Sequence, residues 1–279
     1  MHLSQRALPR VTYAMLALFV VVCAIRGVGE TTLSIVGGTV ILFALCLTSA
    51  MHILEGKATA ILLAVAVPFG WFAEEMGSTR GWFFGSYRYT DVMGPKLGSV
   101  PLVVPLGWFS LSYIGYLMAN LIVHRMPVVQ VSNTVRRFWV SLLAAFIVTA
   151  YDLGADPYMI NVTHAWVMKE TNGYYFGETV HGLVGWVTVT FIIVLTYRTI
   201  AGRTNAIPAT CNWVRRDALI PVVAYGSLMA LFVARGMPVE TRSIVVFAMG
   251  IPILASLAGY EHWKDTSFKQ GAAGVVADQ

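Results

Sequence analysis

Apolar runs separated by short polar breaks occupy almost the whole chain. Runs near 11–25, 32–53, 58–76, 100–123, 138–154, 183–200, 217–235 and 243–261 each approach the roughly 20 residues a helix needs to cross a bilayer. The pattern predicts an all-α fold, a polytopic integral membrane bundle of about eight transmembrane helices. One domain is expected over 1–263, with a disordered tail over 264–279. Arg6 and Arg10 ahead of the first run give it the look of a signal peptide, but no small-x-small cleavage site follows, so it reads as the first span. Two breaks are long, 77–99 and 155–182, and with eight spans both fall on one membrane side. They are dense in glycine and aromatic residues, unlike flexible linkers, and are expected to cap a cavity. Pro157, after the apolar run that begins at Phe138, is expected to stop the fifth helix.

Composition supports the membrane assignment: 57% of residues are hydrophobic and 12% charged, the latter roughly half the share usual in soluble proteins. The formal net charge of +5 does not point to nucleic acid, because Lys and Arg sit mainly between apolar runs and report topology. Twelve of them fall on the side of the N-terminus and seven on the other. That bias puts both termini in the cytoplasm, and the plasma membrane of a prokaryote is the expected location, with membrane lipid as a partner. Cys23, Cys46 and Cys211 form no CxxC pair, which argues against a disulfide framework or zinc site.

The candidate chemistry is acidic. Asp152 and Asp156 are four residues apart, on one helical face. Glu74 and Glu75 stand at the corresponding end of the third helix, which runs parallel to the fifth because one helix intervenes. Four carboxylates can therefore meet at one depth. Clustered carboxylates in an apolar surround share protons, which suits a proton donor; Glu75 and Asp156 could equally mark the water interface. Around them stand Tyr87, Tyr89, Trp166, Tyr175 and Trp186, whose ring faces stabilise cations, although an interfacial aromatic belt accounts for some of them. The histidines lack HxxxH or HxxH spacing, so no metal is expected. Asp152 to Asp156 also reads as DxxxD, as in a prenyl-diphosphate enzyme, but no basic cluster accompanies it. A proton-coupled transporter and a lipid-binding protein without catalysis are the alternatives from other classes.

Motifs in order then narrow the reading. E-x-x-G at Glu74–Gly77, G-x-x-F-G-x-Y-x-Y at Gly81–Tyr89, Gly94-Pro95 and P-L-x-W at Pro105–Trp108 are followed by D-x-x-x-D-P at Asp152–Pro157, Trp166, G-x-Y-F-G at Gly173–Gly177 and Gly185-Trp186. Over roughly 70–200 the chain resembles the CruF-type carotenoid biosynthesis proteins. The resemblance implies an integral membrane hydratase that needs no redox cofactor and adds water to an acyclic carotenoid or other isoprenoid end. In that reading Asp152 donates the proton, supported by Glu74, and Asp156 activates water, with the two Asp roles exchangeable. Tyr87, Tyr89, Trp166 and Tyr175 line the cation, and Glu75, Trp108, His181 and Trp186 complete the substrate site. The chain departs where the family typically has G-V-P-L-x-N-F-x-G-W: Glu178, Thr179 and Gly182 replace Val, Pro and Asn, and His181 appears beside them. Protonation without water capture would give a cyclase or isomerase, the alternative for a divergent member.

Overall fold

Eight helices order the chain in the computed structural model, which describes residues 7–131, 133–169, 173, 175–206 and 215–263. They are α1 Ala7–Val28, α2 Thr32–Ile53, α3 Glu55–Arg80, α4 Val104–His124, α5 Thr134–Asn161, α6 Val180–Arg203, α7 Ile220–Arg235 and α8 Glu240–Glu261. All are long and apolar enough to cross a membrane, α7 together with the 3-10 turn that leads into it from Arg215. The protein is an all-α membrane bundle. The tail expected over 264–279 lies outside the described residues.

The helices outrun the apolar runs that signalled them, because lipid offers no partner for a free backbone group and each helix satisfies its own. In α3, Glu74 and Glu75 therefore lie a turn inside the helix, which ends at Arg80 and is capped by Gly81 in the left-handed conformation, φ 73°. Pro157 does not stop α5, contrary to the sequence expectation. The helix continues to Asn161 with Pro157 inside it. A proline there frees the carbonyl four residues back, and the Tyr175 hydroxyl donates to that carbonyl, Leu153 O, at 2.9 Å.

Residues 108–121 of α4 are all buried, and α5 packs against α4, α6, α7 and α8. Asp152 and Asp156 are thus buried inside the bundle. The two long connections shorten to 81–103 and 162–179 and are zipped together by a pair of strands that the all-α reading does not contain. Strand β1, Tyr87–Tyr89, lies antiparallel to a segment we label β4, Trp166–Met168, in the register Tyr87 to Met168 and Tyr89 to Trp166; a smaller hairpin, β2 Lys96–Leu97 with β3 Val100–Pro101, sits between them in sequence. The first connection is pressed onto α6 at Gly185, where a β-carbon would lie 2.1 Å from Phe83 O. Only glycine permits that approach.

Candidate active site at the loop side of the bundle

The side chains of a strand alternate between faces. Tyr87 and Tyr89 consequently share a face of β1, with Trp166 and Met168 opposite them on β4, while Arg88 is exposed. That shared face closes over Glu74, which is 5% exposed. One Glu74 oxygen, Oε2, accepts hydrogen bonds from the hydroxyls of Tyr87 and Tyr89, the latter at 2.7 Å, and the other, Oε1, accepts from Trp108 Nε1 at 2.8 Å. Burial first, and then the Glu74 charge, push both tyrosine hydroxyls well above the ordinary tyrosine range, so both remain donors. Trp108 is seated against Gly70, where a β-carbon would meet its ring at 2.7 Å. Its ring centroid is 4.5 Å from that of Trp186 and 5.9 Å from that of Phe84.

Two adjoining cavities share Glu74, Tyr89, Trp166 and Trp186 as walls. The smaller, of about 30 Å³, is bounded also by Tyr87, Phe84, Met168 and Asp156, and has room for about two waters. The larger, of about 80 Å³, runs between α2, α4 and α5 past Thr39, Val104, Gly107, Leu111 and Tyr151. One end of the space is polar and acidic, and the other is apolar.

Asp156 on that wall belongs to a buried trio. One oxygen each from Asp152, Asp156 and Glu178 lies within 4.8 Å of the others. Asp152 and Glu178 are 0% exposed and Asp156 7%. Both oxygens of Asp152 and of Glu178 lack a hydrogen-bond donor, and among the described residues no basic side chain forms an ion pair with any of the three. The trio therefore shares protons or holds a cation, since three like charges in a low dielectric repel strongly. Its donor set is hard oxygen, of the kind that magnesium or calcium takes.

Of the residues singled out in the sequence, the structure gathers Glu74, Tyr87, Tyr89, Trp108, Asp156, Trp166 and Trp186 around this space. Asp152 lies behind Asp156, off the cavity wall. Three others stand apart. Glu75 accepts from the backbone N–H and the hydroxyl of Ser99, both at 2.8 Å, and so ties the first connection to α3. Tyr175 is bound to Leu153 O, its hydroxyl pushed up to about 12 by burial and then by the Glu178 charge. His181 is exposed on the first turn of α6, because the Thr179 cap that accepts from Gly182 N–H at 3.0 Å sets the helix start and leaves position 181 outward. Glu178 is the buried site residue absent from the sequence-derived set of catalytic groups. Its signal was a charge at an otherwise apolar position of the motif.

Fold and site together define a membrane-embedded protein with a water-sized acidic pocket walled by aromatic rings. The chain belongs to the carotenoid biosynthesis protein family, whose family model matches residues 29–255, from the start of α2 into α8 with both long connections. Its role therefore lies in carotenoid biosynthesis. No curated protein and no solved structure matches the chain.

Proposed function

We propose that the protein protonates the terminal trisubstituted double bond of an acyclic carotenoid end and adds water to it, giving a tertiary alcohol. The observation that supports this most is the placement of two buried carboxyl groups, Asp156 and Glu74, on the wall of a single aromatic cavity with room for water. Asp156, as the member of the trio on that wall, is the donor, in place of the Asp152 favoured by the sequence. Its proton goes to the less substituted alkene carbon, where the π pair forms the new C–H bond. The tertiary cation left behind faces Trp108, Trp166, Trp186 and Tyr89, whose negative ring faces stabilise it. A water at the polar end attacks the cation, and its proton passes to Glu74, held as an acceptor by Tyr87, Tyr89 and Trp108. Return of that proton to Asp156 resets the site, and the net change is one water added. The charge bias of the connections supports a pocket on the outer side of a prokaryotic plasma membrane, with both termini in the cytoplasm.

The test is expression of the wild type, D156N and D152N in cells that accumulate acyclic carotenoids, followed by mass analysis of the pigments. The wild type should yield a pigment heavier by one water. D156N should reduce that product at least 100-fold, and D152N should leave a slower enzyme with the same product. A new pigment of unchanged mass would replace hydration with cyclisation or isomerisation. No new pigment in any of the three would remove both.

A further inference from the structure

We infer that Gly107 forms a subsite for hydrocarbon: the gap it leaves in α4 receives the stretch of open isoprenoid chain behind the reacting double bond. This deepens the hydration reading and rests on its placing of the substrate in the cavity.

Nothing in the protein itself requires glycine at this position. Gly107 lies near the start of α4, where its N–H donates to Val103 O at 3.1 Å, and it is not among the glycines with positive φ. Any residue adopts such a backbone, and glycine is the poorest helix former after proline. Close packing does not demand it either. A β-carbon at Gly115 of the same helix would lie 2.8 Å from Val148 Cγ2 and 2.9 Å from Ala144 O, whereas one at Gly107 would meet nothing within 4 Å. The space it would enter is the larger cavity, which Gly107 borders.

The neighbours of Gly107 give that space its character. Val104, Gly107 and Leu111 are spaced by three and four residues and so share one face of α4, and all three border the cavity. Glycine is the notch in an otherwise branched, apolar row. The adjacent Trp108 donates to Glu74, which sets the notch beside the acidic end of the space. Thr39, on the α2 wall, engages its hydroxyl with Ile35 O at 3.1 Å, and Met93 and Met159 add adaptable thioethers. Volume then decides the class of ligand. A cavity of roughly 150 Å³ admits benzene; the larger cavity is about 80 Å³, too small for an end closed into a carbon ring and suited to an open chain. Any side chain at position 107 would take its volume from that space.

The test is binding of lycopene, an open-chain carotenoid, to the purified protein in detergent micelles, read by quenching of tryptophan fluorescence. The comparison ligand is β-carotene, which is closed into rings at both ends. The wild type should bind lycopene, and β-carotene about 10-fold more weakly or worse. G107A should weaken lycopene binding about 10-fold and G107V about 100-fold. G107A should not unfold at a lower temperature, since alanine favours a helix over glycine. L111A removes as many carbons from the next turn of the same face as valine adds, so G107V/L111A should recover most of the lost affinity. An affinity unchanged in G107V, or not recovered in the double variant, would overturn the subsite, as would a wild type that binds neither carotenoid or holds β-carotene as tightly as lycopene. A lower unfolding temperature for G107A would make Gly107 a packing residue and overturn it as well. A wild type that shows the expected binding pattern but yields no hydrated pigment in cells removes the hydration reading and leaves the subsite standing.

Discussion

At the scale of single residues, the site turns on one carboxylate with three donors. Glu74 is buried, and Tyr87, Tyr89 and Trp108 all donate to it. Trp108→Phe keeps an aromatic face in the cavity and removes one N–H donor to Oε1. A hydrogen bond to a charged group is worth about 1.5–3 kcal/mol, so the rate of pigment conversion should fall about 10- to 100-fold while the concentration giving half-maximal rate changes little. An effect confined to that concentration would mean that Trp108 only packs against substrate. The acids themselves were legible in the chain, because a spacing of four fixes the shared face of Asp152 and Asp156, and helix parity brings Glu74 to their depth. Which acid reaches the cavity was not legible. Periodicity orders side chains along α5 but does not say how α5 is rotated against α3 and α6. Glu75 and His181 stand apart from the cavity for a related reason: their surroundings are set by Ser99 and by the Thr179 cap, contacts made in the connections and not along a helical repeat.

At the scale of elements, Pro157 and Tyr175 act as one feature. A local rule ends a helix at an internal proline, and within a bilayer that rule is overridden when another group takes the freed carbonyl. Here the Tyr175 hydroxyl does so from the second connection, at 2.9 Å from Leu153 O, 22 residues away in sequence. Tyr175→Phe should therefore destabilise the protein by about 1–2 kcal/mol, seen as a lower unfolding temperature in detergent micelles, while the pigment product stays the same. A changed product with unchanged stability would restore Tyr175 to the cation site. The spans were legible because bilayer thickness imposes a length on every apolar run. The pairing of β1 with β4 was not, since three-residue strands are too short to show a period of two. Flanking bonds, Lys169 N–H to Ser86 O and Thr90 N–H to Ala165 O, each 2.9 Å, extend the ladder at both ends and fix which faces of the two connections look inward.

At the scale of the whole molecule, the bundle contains acid that it does not neutralise with base. Among the described residues the ion pairs join Arg26 to Glu30, His52 to Asp217 and Lys96 to Asp91, and none reaches the trio. Glu178 lies outside the spans, and its carboxyl is raised by burial and then by Asp156, so its effect on stability has a definite sign. Below the usual Glu range, about pH 4.3, folded and unfolded chains both hold the proton, and the stability linked to Glu178 is fully present. Above that range the unfolded chain releases the proton while the folded one retains it, so stability falls as pH rises, by at most about 1.4 kcal/mol per pH unit for one group. The fall ends only once pH passes the raised folded value. Unfolding temperatures in micelles should accordingly decline from about pH 5 to about pH 9, and E178Q should flatten the decline. A wild-type stability that instead rises over this interval would mean that Glu178 is ionised and paired in the folded protein, which would place a cation, not a shared proton, at the centre of the trio.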